Sequence, residues 1–568
     1  GGLEGLRFVR LPHEAMLRGA DVWDDMFVDE MELGDPTRLE TLRGVRHTRL
    51  MPLGGTRGLE GVLVAGRSPH CVIFARGDVR VHPLKLDRGE GVRSAARFTN
   101  PQCADGVVFI ADKGRDRPRG MLKICSLPDM AAAADAPWPM RVRHCGVTVH
   151  SIAYHASTGC HVAIVSSWHD LPPERRPEGA YEGRVPPLRE ERFQLQLLAP
   201  YTLETIDTYD FDHEAGEHAL ALSVCHLKNT RQSDVLIPFI CAGTGFVNGE
   251  SDFARATGRI YVFETSTVVG QEGIEGKNTF RLKSLWKSSL EQDIKGPVTA
   301  MVQCEGYLCV AQGPNPGMIG GSKVYVYECV DDSLVGRAFY DAHMYVTSMK
   351  SLKCYVAFGD ARHGVNLLRW REDIRKLHPL ASDPLPMSIY AVDFIVLGQT
   401  FGVIASDDRS NVLVYVFNPA SPEYRRGQLI VRADIHAGSG INRFARWAMP
   451  FRPAYGVRIC AHYATLDGAV GAVAPLAEEP YRKLLALQNL LVTAVPHFAG
   501  LNPKTWRLFR PELCLKRRYA KNLLDGLLLA RFLALDFVLQ AQLAGAVGSD
   551  RNAILGLLHD IVTGCVVT

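Results

Sequence analysis

The sequence of 568 residues holds no Asn-x-Ser/Thr site, and none of its 14 cysteines forms a Cys-x-x-Cys pair. The nearest two, Cys304 and Cys309, are too far apart for a zinc knuckle. Thiols scattered this way, without a glycosylation acceptor, lead us to expect reduced cysteines, as in cytosol or nucleus. No window approaches the ~18 uncharged apolar residues that a membrane helix needs. The most apolar stretch, 523–548, is interrupted by Asp525, Arg531 and Asp536. An excess of one charge is missing too: 64 basic against 61 acidic residues leave a net +3. A bare nucleic-acid-binding surface normally carries more, so any such contact is expected to be local or shared with a partner. The phosphate-cradling patterns GxGxxG and GxxxxGK[ST] are absent, and so is the GxSxG nucleophile turn.

Charged residues at 22% and hydrophobic ones at 47% are ordinary for a globular chain, which excludes wholesale disorder. From about residue 45 to 476 the chain reads as short apolar runs rich in Val, Ile, Tyr and Phe, punctuated by Gly, Asp and Pro. Gly61-Val-Leu-Val-Ala-Gly66, Cys71-Val-Ile-Phe74, Val107-Val-Phe-Ile110, Val162-Ala-Ile-Val165 and Tyr307-Leu-Cys-Val310 are examples. Runs this short between turn signals predict strands. Four of them share a polar-then-alternating form: Gly258 to Glu264, Ser322 to Glu328, Gly364 to Trp370 and Asn411 to Phe417. Their markers Tyr261, Tyr325, Leu367 and Tyr415 are 64, 42 and 48 residues apart. The last two separations match a four-stranded propeller blade of ~40 to 50 residues. The expected fold is mainly β: a seven-bladed-type β-propeller over 45–476, followed by an α-helical domain over 477–568. A pair of β-sandwiches is the alternative.

The helical end rests on period. Tyr481-Arg-Lys-Leu-Leu-Ala-Leu-Gln-Asn-Leu-Leu491 places apolar residues at helical spacing, and Pro496 closes the run. Leu484, Leu485, Leu487 and Leu491 are expected to pack, with Arg482 and Gln488 outward or toward a partner. A second helix is predicted over 522–543. A third is capped by Asp550 or Asn552 and runs through Ile554, Leu557, Leu558 and Ile561. Residues 170–192 hold five prolines among eleven charges and read as a loop insertion. Residues 1–44 show no period and read as a linker or the remnant of a preceding propeller. Opening without Met, the chain is expected to be a fragment of a longer protein or the product of an incomplete gene model.

Chemistry is sparse. In His213-Glu-Ala-Gly-Glu-His218 the second His falls at i+5, about 140° off the face that a zincin helix needs. We read it as a solvated loop. Asp407-Asp-Arg-Ser-Asn411 lies between two predicted strands and reads as a hairpin turn. Lys516-Arg517-Arg518 with Lys521 is a basic run, either a solvated face or a local contact to RNA or an acidic partner. Trp506, Phe509 and Phe532 read as core. No catalytic constellation assembles, so we expect no enzyme, cofactor or metal.

Several ordered stretches resemble the family of the largest subunit of cleavage and polyadenylation specificity factor. They include Tyr481 to Asn489, Pro496-His-Phe-Ala-Gly-Leu-Asn-Pro503, Leu524-Asp-Gly526, Asp135-Ala-Pro-Trp-Pro139, Lys295-Gly-Pro-Val-Thr-Ala300, Val392-Asp-Phe394 and Ser406 to Asn411. The large damaged-DNA-binding subunit and the propeller subunit of splicing factor 3b share the fold and match these stretches less closely. The resemblance implies a nuclear scaffold that is no membrane protein. Such scaffolds grip a WD-repeat subunit and a CCCH zinc-finger subunit, which read AAUAAA in pre-mRNA. It marks Trp138, Arg482, Gln488, Asn489, Asn502, Lys516, Arg517 and Arg518 as candidate partner contacts. An adaptor of a ubiquitin ligase or of the spliceosome is the alternative. Leu527 departs from the family pattern, which usually has an acidic residue there, and 556–568 is more apolar than the family tail.

Overall fold

The computed structural model describes residues 49–52, 60–65, 69–75, 78–83, 91–100, 103–112, 121–126, 143–171, 189–200, 202–212, 216–229, 236–246, 257–268, 279–288, 294–314, 321–449, 456–497, 502–511 and 519–565. The chain forms two compact units. One is built from Gly1–Val142, Glu478–Pro496 and Leu524–Thr568, and the other from Arg143–Ala477 and His497–Leu523.

The second unit is a β-propeller. Among the described residues it contains six successive antiparallel sheets, and the first strand of each lies beside the first strand of the next. We label these inner strands β1 (Thr148–His155), β2 (Glu217–Lys228), β3 (Val298–Cys304), β4 (Val346–Leu352), β5 (Ile389–Leu397) and β6 (Ile441–Ala448). Behind β1 to β5 each sheet continues outward through three more strands. The sheet of β6 adds Arg458–Thr465 and Val470–Val473, and joins its predecessor where Val396 and Leu397 pair with Ile459 and Arg458.

A blade sheet with neighbours on both sides must be apolar on both faces, and this explains the unbroken runs in the sequence. Tyr307–Gln312 is buried at every position. All five apolar runs singled out above lie in strands. The four repeat markers fall on the third strand of four consecutive sheets, where Tyr261, Leu367 and Tyr415 are fully buried.

The inner strands carry a finer repeat. Each contains an extra residue near its start (His150, Leu220, Thr299, Thr347, Tyr390 and Asn442), which shifts the register against the next strand. Such bulges bend a strand and re-aim the side chain that follows. That following residue is Ser151, Ala221, Ala300, Ser348, Ala391 or Arg443. Five of the six are small, as crowded inner strands require. Polar ties cross from blade to blade along these strands. The His226 N–H donates to Gln303 Oε1 (2.6 Å), and the Val392 N–H to Ser348 Oγ (3.3 Å). The Thr347 hydroxyl donates to the Ile389 carbonyl (2.6 Å), and Ser406 to that of Ile441 (2.7 Å).

The other unit contains a four-stranded sheet over 49–83 and a three-stranded sheet over 91–126. Leu63, Ala65, Cys71, Val92, Val107 and Phe109 make a shared core between them. The same unit holds α1 (Glu478–Ala494). After the short α2 (Pro503–Trp506), which belongs to the propeller unit, come α3 (Gly526–Ala530), α4 (Phe537–Val547) and α5 (Arg551–Cys565). Helix α1 buries Leu484, Leu487 and Leu491 as the spacing requires, with Leu485 half-buried. The single helix predicted over 522–543 is instead three short pieces: α3, a 3₁₀ turn over Arg531–Ala534, and α4. The Asp525 carboxylate caps α3 by accepting from the Leu527 N–H (3.1 Å), and Asp536 caps α4 through the Leu539 N–H (3.1 Å). An aspartate at a cap competes with continuous helix, and two of them set two starts. Asp550 accepts from the Asn552 N–H (3.0 Å) ahead of α5, which buries Ile554 and Leu558.

Residues 502–511 and 519–523 belong to the propeller unit and pack on it, although the sequence reading placed them in the helical domain. Phe509 is buried among Leu413, Tyr415, Leu429 and Phe394 in the fifth blade, while Phe532 is buried in the helical unit. Residues 1–44 and the bulk of the 170–192 insertion lie outside the described residues. The strands flanking that insertion pair Asp170 with Arg189. Truncating Phe509 to Ala should destabilise the propeller by about 3–5 kcal/mol, and Leu484→Ala the helical unit by about 2–5 kcal/mol. Urea unfolding checks both, and a loss within about 0.5 kcal/mol in either would show that side chain to be misplaced.

Candidate functional site

The three turn motifs richest in polar groups use those groups for structure. Asp407 ends the strand Thr400–Asp407, and Asn411 begins the next, with Ser410 left-handed at φ 60° between them. Asp407 Oδ1 accepts from the N–H groups of Arg409 (3.0 Å) and Asn411 (2.7 Å), and Oδ2 accepts from Asn411 Nδ2 (2.6 Å). The hairpin turn read from sequence is thus an aspartate-centred turn. Asp360 does the same one blade earlier, accepting from the N–H groups of Arg362, His363 and Met344. Asp383 accepts from the Leu385 N–H and from the Tyr415 hydroxyl (2.5 Å).

Asn411 has a second task that the sequence did not disclose. Its Nδ2 donates to the Arg510 carbonyl (2.8 Å), and its Oδ1 accepts from the Arg510 N–H (3.1 Å). One buried amide thus clips the returning segment onto the blade. Other contacts extend the clip. Arg507 donates to the carbonyls of His436 (3.2 Å) and Ala437 (2.7 Å). Lys521 and Asp434 exchange backbone hydrogen bonds at 2.9 Å, and Asn522 Nδ2 donates to the Arg432 carbonyl (2.8 Å). Gly438 lies under Trp506 at φ 100°, where a Cβ would come within 2.8 Å of the indole. Trp506 is half-buried and carries the Arg507 guanidinium 3.9 Å from its ring centroid, so it is a docking residue more than a core one.

The histidine motif divides across a strand. His213 lies outside the described residues. Glu217 and His218 are consecutive in β2 and so point to opposite faces. Glu217 is buried, accepting from Thr244 (2.6 Å) and Tyr261 (2.8 Å) and pairing with Arg259 at 3.4 Å. Burial first, then the Glu217 charge, pushes the Tyr261 phenol up. His218 packs against Phe193 at a tilt, ring centroids 4.6 Å apart, and burial pulls its pKa down. Nearby, His150 Nε2 meets Ser166 Oγ at 2.6 Å, and Ser166 donates to Glu191 (2.5 Å). Glu191 approaches the same ring nitrogen, at 3.5 Å, so the three do not form the linear order of a serine relay.

Two open clefts lie among the described residues. One of about 550 Å³ is lined by Glu305, Cys354, Trp370, Arg371 and Glu372, and the other of about 570 Å³ by Arg143, His144, Ser166 and Trp168. In the first, Glu372 accepts from Lys228 and Tyr307, each at 3.0 Å. The Lys228 hydrogen bond holds this carboxyl below its ordinary range, and burial pushes Tyr307 up to about 12.

Of the candidate contacts, Arg482 is exposed and pairs with Glu478 (2.7 Å), and Asn489 is exposed. Gln488 turns inward, its Oε1 accepting from the Asp525 N–H (2.7 Å), because the N-terminus of α3 supplies a donor there. Asn502 caps α2 by accepting from the Lys504 N–H (2.9 Å). Trp138, Lys516, Arg517 and Arg518 lie outside the described residues. Leu527 is 74% exposed, and Phe537 and Val538 on α4 are exposed too.

The comparison with known proteins falls on this architecture. A family model described as the CPSF A subunit region matches residues 192–534, which takes in most of the propeller unit and its clip. The chain belongs to that family. A second model, the RSE1/DDB1/CPSF1 second beta-propeller, matches residues 28–126, and so the two sheets that precede Arg143. Cleavage and polyadenylation specificity factor subunit 1 of Drosophila melanogaster is 28% identical over 533 residues, covering 90% of this chain and 35% of the relative. Its namesake in Arabidopsis thaliana is 29% identical over 559 residues (94% and 36%). Protein cft1 of Schizosaccharomyces pombe is 25% identical over 582 residues (98% and 38%). The chain therefore spans just over a third of the length of these curated relatives. Among family stretches, Val392-Asp-Phe394 lies in β5, Lys295 to Ala300 leads into β3, and Ser406 to Asn411 is the aspartate-centred turn.

Asp407 is almost fully buried, and that burial raises its pKa from 3.8 to about 6 against the opposing hydrogen bonds from Asn411. The folded protein then keeps a proton that the unfolded chain releases. This group's contribution to stability should fall as pH rises from about 4 to about 6, by up to about 1.4 kcal/mol per unit, and stay level above. Urea unfolding of the wild type and Asp407→Asn at pH 4, 5, 6 and 7 isolates the effect, since the variant lacks this titration. Parallel pH curves for the two proteins would contradict it.

Proposed function

We propose that this chain is a scaffold part of the pre-mRNA 3′-end cleavage and polyadenylation machinery, organising the subunits that recognise AAUAAA. The match of residues 192–534 to the CPSF A subunit region carries the reading. Relatives named for the cleavage and polyadenylation specificity factor extend it over most of the chain. The physical character of the surface supports it. Propeller blades give broad rigid faces suited to holding partners, and the polar turn motifs are engaged in holding the fold. We read residues 28–126 as part of a preceding propeller and 143–477 as the propeller that docks partners, with 497–523 as its clip. The partners in this reading are a WD-repeat subunit and a CCCH zinc-finger subunit, in the nucleus. RNA contact runs mostly through them, in keeping with a net charge of only +3. The chain takes no chemical step itself.

Affinity purification of the tagged chain from nuclear extract tests this. Co-purification of the zinc-finger and WD-repeat subunits of the polyadenylation factor is the expected result. Recovery of cullin or spliceosomal subunits in their place would replace the reading by that of an adaptor, a role open to a fold shared with the second-propeller family.

A further inference from the structure

The inner strands β4, β5 and β6 bring four charged residues together near the propeller axis. Lys350 lies on β4, Asp393 on β5, and Arg443 and Arg446 on β6. Lys350, Arg443 and Arg446 all interact electrostatically with Asp393, and Lys350 is repelled by both arginines. Asp393 is fully buried, and one of its oxygens is held by Arg446 Nε at 2.9 Å. Its Oδ2 has no hydrogen-bond partner among the described residues. Arg446 is therefore committed to Asp393, and two cations remain. Arg443 occupies the position that is Ser or Ala in the other five inner strands, and its guanidinium donates to Ser151 Oγ on β1 (3.2 Å), a neutral acceptor. Among the described residues no hydrogen bond or ion pair of 4 Å or less reaches the half-buried Lys350 ammonium. Three cations thus face one carboxylate in a setting that penalises uncompensated charge.

Neither surplus cation is sealed off. Arg443 is exposed and Lys350 half-buried, and Arg446 at the rim keeps 30% of its side-chain surface, so solvent and small solutes reach the group. A fork of N–H donors beside an ammonium matches a tetrahedral oxyanion, which takes paired hydrogen bonds from guanidinium and a point charge from lysine. Chloride satisfies charge but not this geometry. We propose that the axial cluster of Lys350 and Arg443, with Arg446 at its rim, is a binding site for a phosphate-class oxyanion, either the free ion or a phosphate ester. The bound anion neutralises the surplus charge where the first and last described blades approach each other, and so holds Arg443 across that junction.

Isothermal titration calorimetry and thermal unfolding of the whole chain test it, using inorganic phosphate, inositol hexakisphosphate and sodium chloride at matched ionic strength. Saturable binding with a raised unfolding midpoint is expected for phosphate, the hexakisphosphate or both, and not for chloride. Inorganic phosphate acting alone identifies the free ion. Much tighter binding of the hexakisphosphate identifies an ester. Arg443→Gln and Lys350→Met should each weaken binding at least about tenfold, equal to 1.4 kcal/mol, whereas the exposed Lys283→Gln should not. No saturable binding by either probe, or binding equal in the wild type and Lys350→Met, would overturn the proposal.

Discussion

A blade sheet with apolar residues on both faces cannot stand alone in water, and the first five described sheets of this propeller, four strands each, are of that kind. Their main cover is the blade on either side. The inner strands therefore run close together, and their side chains are limited by the space at the axis. Small residues follow the bulge in five of six inner strands for that reason; the blade-to-blade ties from Thr347, Ser348 and Ser406 lie nearby, and the Gln303 tie lies toward the other end of its strand. Hydrophobic area drives the stacking. The ties satisfy backbone groups that stacking would otherwise strand in a dry interior.

The same need for cover explains the returning segment. Residues 502–511 bring Phe509 to the fifth blade, and 519–523 bring Leu523 to the cluster of Val412, Phe444 and Ala461. Asn411 fixes the register of this addition by pairing both edges of its amide with Arg510. The helices close on themselves instead, through Leu484, Leu487, Leu528 and Phe532. In a protein organised in this way the buried polar groups of the turns serve the fold.

Much of the fold was legible, because burial leaves a period in the sequence. The unbroken apolar runs of blade strands, the third-strand markers and the leucine spacing of α1 all follow from which faces meet a neighbour. The aspartate-centred turn at 407–411 was legible for the same local reason. What escaped was non-local. Nothing within residues 500–523 says that Phe509 belongs to a strand 90 residues earlier, and Gln488 faces inward only because the start of α3 supplies a donor. The inner-strand repeat, an apolar residue, a bulged one and then Ser or Ala, was present in Val-Thr-Ala300 and Val-Thr-Ser348. Three residues per 43 to 79 are too few to find before the bulge is seen. The break of the 522–543 helix was signalled by Asp525 and Asp536, whose capping strength outweighed the apolar period. Of the candidate contacts, exposure at Arg482 and Asn489 followed from their helical positions, whereas the capping by Asn502 depended on where α2 starts.

The account treats residues 143–477 with 497–523 as one cooperative body and the helices as another. Hydrogen exchange measured along a denaturant series tests that division directly, because amides that open together share one free energy and one denaturant slope. The slowest amides of 502–511, including the Arg510 N–H, should exchange in step with those of Thr400–Asp407 and Asn411–Val416. Those of α1 should follow a separate isotherm shared with α3 and α4. Exchange of 502–511 in step with α1, or at the rate of an unprotected chain, would contradict it.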